Sequence, residues 1–339
     1  MTTVFEKEIR SQGAVIRARA EQGYDQASRA VAAWGDLAYC LVAARGSSDN
    51  AAVFFQYLAG GEAGLLVALA APSLFENGTV RVGGAGVLAI SQSGRSPGIA
   101  DVLAQGRRQG CATVVVTNDP RAPLVEVADV VIDLAAGPEG ALASTKTFST
   151  SWHALAQITS AMRVTPLPGL DVLGDVVDAA VEDFLARAVP DPLAEVRTGL
   201  TVVGRGVGYA AAREIAIKVR EVAGVRTEAF SVADYLHGPI GADGEGAALL
   251  LVVTDEVSDS LATQVLEGSR AAGLSTTVIG SASRTALASD ARVVVDDAPN
   301  WTLGLVEVLF GQVLALRLGE RRGRPIDSAP GLHKVTLSA

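Results

Sequence analysis

The sequence is poor in the residues that mark several large classes of protein. Only two cysteines and three histidines occur in 339 residues, and aromatic residues make up 5%. No Cys, His or Asp cluster has ligand spacing, so we expect no metal site and no cofactor. The net charge is −9 and no basic run occurs, which argues against nucleic acid as a partner.

Long apolar runs are also lacking. No uninterrupted apolar stretch reaches the length that spans a membrane, since the run at 65–71 is short and meets Pro72. Residues 1–19 are polar and lack the apolar core of a signal peptide. Cys40 and Cys111 lie in apolar, strand-like contexts, which indicates buried thiols of a reducing compartment. We therefore predict a cytoplasmic protein without membrane contact.

Apolar runs of strand length alternate with helix-like stretches, which predicts an α/β protein whose parallel sheets are buried on both faces. Hydrophobic residues make up 49% of the chain, enough for a sizeable core. The pattern occurs twice, so we infer an internal duplication. The matched strand pairs are 38–44 with 200–203, 87–90 with 249–253, 113–116 with 276–279, and 128–133 with 290–296.

The duplication sets the domain organisation that we expect. A helix-like segment bracketed by prolines lies between the repeats and is typical of a connector. The predicted segments are an N-terminal helical segment at 1–36, a first domain at 37–165, a connector at 166–197, a second domain at 198–322, and a tail at 323–339.

The loop 91–97 carries three serines and a glutamine between an apolar run and a helix-like stretch. These residues are Ser91, Gln92, Ser93 and Ser96. Hydroxyl and backbone N–H groups at a helix N-terminus favour an anion, and the absence of lysine excludes a nucleotide P-loop. The loop alone leaves two interpretations open: a monophosphate site, or an ordinary turn with Ser96 as N-cap and Pro97 at the first helical position.

Two other strand ends bear on this interpretation. Ser47 and Ser48 follow an earlier strand, and the carboxyl ends of parallel strands meet at one edge of a sheet. At the corresponding position of the second repeat stand Asp255 and Glu256, whose charge makes a poor phosphate site. We therefore expect only the first repeat to bind phosphate.

Glu214, Lys218 and Glu221 are spaced to share one face of a helix. One interpretation is a solvated Glu–Lys pair. The other is a partly desolvated carboxylate that acts as a general base, since the flanking residues are mostly apolar.

Three further segments are candidates. His237 precedes Gly238 and Pro239, so its imidazole lies on a turn, and its ordinary pKa suits proton transfer near neutrality. Ala143 and Ser144 open a Ser/Thr-rich helix start after a Gly-rich loop, where the hydroxyls of Thr145 and Thr147 could cap the helix or hold sugar oxygens. The tail carries Lys334.

In this order, the motifs resemble the sugar isomerase (SIS) family, and in particular tandem SIS phosphosugar enzymes. They are similar to the isomerase half of glucosamine-6-phosphate synthases and more closely to type II glucosamine-6-phosphate deaminases. The resemblance implies an α/β fold of two tandem SIS domains, each a parallel sheet flanked by helices. It also implies a homodimer with shared active sites and a phosphosugar substrate.

The same resemblance implies roles for individual residues. The Ser/Thr loops, with Ala143 and Ser144, hold the substrate and its phosphate. Glu221 moves a proton between C1 and C2, and Glu214 and Lys218 orient it. His237 opens the sugar ring from the neighbouring subunit, and Lys334 lies on a tail that closes over the substrate.

The chain departs from the synthases because Thr2 stands where a glutaminase domain would have its nucleophilic Cys, and we expect no glutaminase domain. The resemblance thus implies conversion of glucosamine 6-phosphate to fructose 6-phosphate and ammonia. The alternatives are another amino- or ketose-phosphate isomerase, a fructosamine-6-phosphate deglycase, or a non-catalytic phosphosugar sensor.

Overall fold

A computed structural model describes residues 2–242, 244–254, 259–282 and 287–328. It has two parallel sheets, each of five strands. The strands of the first sheet are β1 (Tyr39–Ala43), β2 (Val67–Leu69), β3 (Ala85–Ile90), β4 (Thr113–Thr117) and β5 (Val130–Asp133). Those of the second are β6 (Gly199–Gly204), β7 (Thr227–Ser231), β8 (Ala247–Val253), β9 (Ser275–Ser281) and β10 (Ala291–Val295).

Helices lie in most of the connections between these strands, since parallel neighbours need a crossover connection. In chain order they are α1 (Val4–Arg10), α2 (Gln12–Trp34), α3 (Ser47–Ala63), α4 (Pro97–Arg108), α5 (Pro123–Glu126), α6 (Lys146–Ala161), α7 (Leu173–Ala186), α8 (Asp191–Ala194), α9 (Val207–Lys218), α10 (Val232–Leu236), α11 (Asp259–Ala271) and α12 (Asn300–Arg321). The α/β class and the matched strands predicted from the sequence are confirmed, with shifts of a few residues at their ends.

The described chain divides into two compact units. The first-sheet unit comprises residues 12–139 and 144–174, and the second-sheet unit comprises residues 2–11, 140–143 and the described residues from 175 onward. Each unit contains one complete sheet.

The two sheets have the same topology. The first has the order β2-β1-β3-β4-β5, and the second has the matching order β7-β6-β8-β9-β10. One contact is repeated in both: the Asp129 carboxylate accepts hydrogen bonds of 2.8 Å from the backbone N–H and the hydroxyl of Thr113. Asp290 accepts the same two bonds from Thr276, at 2.7 and 3.0 Å. Shared order and shared contacts support the internal duplication.

Each sheet is buried on both faces, which is the reason that its strands read as continuous apolar runs. In β3, Val87 and Ala89 belong to the core cluster that includes Val102 and Leu103 of α4. The alternate residues of the same strand, Leu88 among them, are also fully buried. In the second-sheet unit, the corresponding cluster joins β8 to α10 and α11.

One helix, α12, is rich in apolar residues although it contains no uninterrupted apolar run of membrane-spanning length. Among the described residues, α12 is long and apolar enough to cross a membrane by length and composition, although 94% of its most apolar window is buried within the protein. The sequence pattern did not indicate this helix as a long apolar segment, because Glu307 and Gln312 interrupt the apolar run. Both side chains are nevertheless fully buried. Such burial is typical of the core helix of a globular unit.

A buried polar cluster lies within the first-sheet unit. Arg19 of α2 is 1% exposed, and its Nη1 lies 3.0 Å from His153 Nδ1 and 3.1 Å from Gln157 Oε1, both on α6. Because a guanidinium only donates, His153 Nδ1 is the acceptor and its ring is neutral. Burial, and then the Arg19 charge, lower the pKa of His153 to about 3. Burial also lowers the pKa of Arg19 to about 10.

Candidate active site

The serine loop between β3 and α4 is a tight turn. Ser91 is buried, and its Oγ accepts a 3.2 Å hydrogen bond from the backbone N–H of Gly94. Gly94 has a φ of +61°, and a Cβ there would lie 2.4 Å from the Cβ of Ala122. This conformation and this crowding require glycine. The loop is therefore fixed by its own sequence.

The turn brings hydroxyls to the N-terminus of α4. Ser96 is the N-cap residue and Pro97 occupies the first turn, as predicted. The Ser96 side chain makes no capping hydrogen bond; its Oγ lies 3.4 Å from Ser91 Oγ. Ser93 Oγ accepts a 3.4 Å bond from the backbone N–H of Arg95. The result is a group of hydroxyls beside a helix N-terminus, an arrangement that suits an anion.

Ser47 and Ser48 lie at the same edge of the same sheet. They form the first turn of α3, directly after β1, and β1 pairs in parallel with β3. Gly46 precedes them with a φ of +59° and a ψ of −131°, and Gly206 repeats these angles almost unchanged before α9. The structure confirms the sequence expectation that both serine turns lie at the carboxyl edge of the first sheet.

The segment before α6 corrects an expectation from the sequence. The hydroxyls of Thr145 and Thr147 neither cap the helix nor lie open to a sugar, because both donate to the buried carboxylate of Glu139, at 3.2 and 2.7 Å. Glu139 Oε1 also accepts the backbone N–H groups of Thr145 and Thr147, each at 3.0 Å. A carboxylate is favourable at a helix N-terminus, so Glu139 caps the helix where the sequence predicts the threonine hydroxyls.

Ala143 and Ser144 precede this capped turn. Ala143 is buried and Ser144 is partly buried. Ala143 can offer only its main-chain groups, whereas Ser144 can offer a hydroxyl. The Glu139 carboxylate at the start of α6 leaves no place there for a second anion. This segment therefore suits neutral sugar oxygens better than a phosphate.

In the second-sheet unit, Lys218 lies between two carboxylates. Its Nζ is 3.4 Å from Glu214 Oε1 and 2.9 Å from Glu221 Oε2. The side chains of Glu214 and Lys218 are 0% and 1% exposed, which excludes the solvated ion pair, and that of Glu221 is 20% exposed. Glu221 is thus a carboxylate that a buried cation holds in place while part of it remains open to solvent.

The helix changes form at this cluster. After Lys218, the α-helical pattern of α9 gives way to a π-helical turn over Val219–Ala223, which contains Glu221. Such turns occur often at functional sites. The residue spacing predicted the shared face correctly but gave no sign of the wider turn.

His237 is exposed and forms the C-cap of α10, where its backbone N–H donates to the Asp234 carbonyl at 3.2 Å. The expectation of a histidine on a turn is confirmed. Lys334, Asp255 and Glu256 lie outside the described residues.

The structure thus groups the predicted residues by unit. The first-sheet unit holds both serine turns and Ser144, and the second-sheet unit holds Ala143, His237 and the Glu214–Lys218–Glu221 cluster. Sequence reasoning missed Glu139 and also Asn118, whose contacts are described below. Asn118 follows β4 directly, so the rule that ligands bind beyond the carboxyl ends of parallel strands could have found it.

Comparison with known proteins finds a family match and several similar chains. The SIS domain family matches residues 40–161. The glutamine–fructose-6-phosphate aminotransferase (isomerizing) of Sulfolobus acidocaldarius is 30% identical over 252 residues, which are 74% of this chain and 42% of the relative. The chain therefore spans less than half the length of this relative.

Two solved structures share the fold along nearly the whole chain. The C-terminal domain of the glucosamine-fructose-6-phosphate aminotransferase from Francisella tularensis has a TM-score of 0.84 at 21% identity and covers 97% of this chain and 99% of its own. The glucosamine-6-phosphate deaminase from Thermotoga maritima has a TM-score of 0.77 at 17% identity, and the match covers 99% of this chain and 100% of that structure's chain. Residues 40–161 therefore match the SIS domain family, and the chain shares the fold of these two structures along nearly its whole length.

Proposed function

We propose that this chain is a phosphosugar enzyme of the isomerase type that converts glucosamine 6-phosphate to fructose 6-phosphate and ammonia. The observation that carries the proposal is the partly exposed Glu221 carboxylate, which the buried Lys218 ammonium holds at 2.9 Å. A positioned carboxylate can take a proton from a carbon next to a carbonyl or imine and return it to the adjacent carbon.

The reaction then needs few other groups. His237 assists opening of the sugar ring, and Glu221 takes the proton from C2 and returns it to C1. A second proton passes from the amino nitrogen to O1, which gives an imine at C2 and a hydroxyl at C1. One water molecule hydrolyses this imine to the ketone of fructose 6-phosphate with release of ammonia. The protons and electrons balance without an oxidant or reductant.

The serine turns supply the phosphate contacts in this proposal. Ser91, Ser93 and Ser96 lie beside the N-terminus of α4, and Ser47 and Ser48 lie at the same sheet edge. A fixed phosphate places C1 and C2 reproducibly relative to the base, which is an entropic contribution to the rate. Glu214 and Lys218 orient Glu221, and Lys334 is proposed to close over the substrate.

Two properties of the whole enzyme remain proposals. We propose a homodimer in which His237 of the partner subunit completes each active site, and a location in the cytoplasm. The homodimer follows from the resemblance of the motifs, and the location follows from the polar N-terminus and from the two cysteines predicted to be buried thiols.

The proposal is tested by incubating the purified protein with glucosamine 6-phosphate alone while ammonia and fructose 6-phosphate are measured together. Equal amounts of both products are expected, with none from Glu221→Gln. Glu228→Gln is the matched control, because Glu228 is an exposed glutamate on β7 of the same unit. Loss of a positioned base typically lowers the rate by about 10²–10⁴-fold.

The alternatives give different results in the same assay. An isomerase that does not deaminate would interconvert hexose phosphates without ammonia, and a deglycase would release ammonia only from a fructosamine phosphate. A sensor would bind these sugars without turnover, and Glu221→Gln would leave it unaffected.

A further inference from the structure

Asn118 connects the serine loop to the loop that leads to Ser144. It lies directly after β4 in the first-sheet unit, and β4 pairs with β3 on one side and with β5 on the other. Its backbone N–H donates to the Gln92 carbonyl at 3.1 Å, which ties it to the serine loop. Its side-chain amide faces the segment after β5.

That amide makes two hydrogen bonds to the backbone. Nδ2 donates to the Gly137 carbonyl at 2.9 Å, and Oδ1 accepts from the Ala136 N–H at 2.8 Å. Asparagine is suited to this position because one short side chain supplies both a donor and an acceptor. Asn118 therefore fixes one N–H group and one carbonyl group of the segment Ala136–Gly137.

The segment that it holds is strained. Ala135 has a φ of +46°, the one positive φ among the described residues other than glycine. This conformation is unfavourable for alanine and persists only where neighbouring contacts determine it. Those contacts are present: the Asp133 carboxylate accepts the Ala135 N–H at 2.8 Å, and Asn118 holds the next residue.

Pro138 and Glu139, which follow this segment, are held against the start of α6. Lys146 is 8% exposed, and its Nζ donates to the Pro138 carbonyl at 2.6 Å. Glu139 binds the N-terminus of α6 through Thr145 and Thr147. The parts of the loop that belong to the first-sheet unit, up to Glu139 and from Ser144 on, are thus held within that unit.

We propose that Asn118 is a positioning residue that sets the distance between the serine loop and Ser144, so that phosphate and sugar are recognised together as one ligand. This inference rests on the proposed function only in its assignment of the phosphate and sugar contacts. It predicts that Asn118 contributes to the binding of a phosphosugar and contributes little to the binding of inorganic phosphate alone.

The test compares the dissociation constants of fructose 6-phosphate and inorganic phosphate by calorimetry. Asn118→Ala is expected to weaken fructose 6-phosphate binding about tenfold, the value of one or two lost hydrogen bonds, and to change phosphate binding less than about twofold. Asn118→Asp keeps the acceptor for Ala136 but loses the donor to Gly137, so an intermediate loss is expected.

Gln109 provides a matched control at the opposite end of the sheet. Its amide also bridges two backbone groups, accepting from the Val82 N–H at 2.9 Å and donating to the Val80 carbonyl at 2.8 Å. Gln109→Ala should leave both dissociation constants unchanged. If Asn118→Ala and Gln109→Ala behave alike, or if Asn118→Ala weakens both ligands equally, the positioning role is wrong.

A double-mutant cycle tests the link to Ser144. The quantity compared is the loss of binding free energy for fructose 6-phosphate. If Asn118 acts through the loop that carries Ser144, the double variant Asn118→Ala/Ser144→Ala loses less than the sum of the two single variants. Additive losses would contradict the proposal. Binding without turnover in the unmutated protein would overturn the proposed function and leave this test intact, whereas no binding of either ligand would overturn both.

Discussion

The Nζ of Lys218 lies 2.9 Å from Glu221 Oε2 while the lysine side chain is almost completely buried. A buried cation between two carboxylates is costly to form but far more costly to break, since its removal leaves uncompensated negative charge in the core. The Lys218–Glu221 ion pair therefore both stabilises the end of α9 and positions the proposed base.

We expect Lys218→Met to reduce the free energy of unfolding by about 3–5 kcal/mol and to abolish turnover. The reason is that Glu214, which is fully buried, loses the ammonium group that lies 3.4 Å away. Chemical denaturation measures the change. Glu320→Gln is the control, because it neutralises the partly exposed Arg317–Glu320 pair, leaves the Arg317 bond to the Leu185 carbonyl in place, and should cost under about 1 kcal/mol. Similar losses in both variants would contradict the buried-pair argument.

Mixing two inactive variants tests the shared active site. If the partner subunit's His237 completes each site, a heterodimer of Glu221→Gln and His237→Ala contains one site with both groups intact. Equal mixing with subunit exchange should then restore about a quarter of the unmutated activity, because half of the dimers are mixed and half of their sites are complete. Mixtures that stay inactive after verified exchange would place both groups in one chain.

Removing serine hydroxyls should weaken the binding of phosphosugars. Ser91→Ala and Ser96→Ala are each expected to raise the dissociation constant of fructose 6-phosphate by about 3–10-fold, because each removes a hydrogen bond to the proposed phosphate site. Calorimetry measures this effect. Ser28→Ala is the control, since Ser28 Oγ only bonds to the Tyr24 carbonyl within α2. An unchanged dissociation constant in both loop variants would contradict the phosphate assignment.

Stability should depend on pH through His153. Its pKa is lowered to about 3 in the folded protein, so between about pH 6.5 and 3 the unfolded chain binds this proton and the folded chain does not. The free energy of unfolding is therefore unaffected by the titration of this histidine above pH 6.5. It decreases as the pH falls towards 3, by up to about 1.4 kcal/mol per pH unit.

Urea denaturation at several pH values, on the unmutated protein and on His153→Asn, isolates this effect. The difference in unfolding free energy between the two proteins should shrink as the pH is lowered through this range. A difference that stays constant would mean that His153 takes up its proton equally well in the folded state.

The α/β architecture could be predicted because parallel strands that are covered on both faces are continuous apolar runs in the sequence. Val87 and Leu88 point to opposite faces of β3 and are both buried, so the run itself marks the strand. The start of α4 was also predictable, because Ser96 and Pro97 act within a few residues of each other.

The details of the candidate site were less predictable because they depend on partners distant in sequence. The Gln92–Asn118 bond joins residues 26 positions apart, and nothing in either segment specifies the other. Glu139 lies only six residues from Thr145, yet a loop of irregular backbone brings them together. The π-helical turn at Glu221 likewise has no residue signature and shows itself only in the backbone.

Both thiols of the chain are buried, and burial raises the pKa of Cys40 above its ordinary value, which keeps this thiol protonated and unreactive. The native protein thus has no surface sulfhydryl to compete for a maleimide. A single cysteine placed at the fully exposed Val164 would accept one fluorophore at a known position without first removing any native residue.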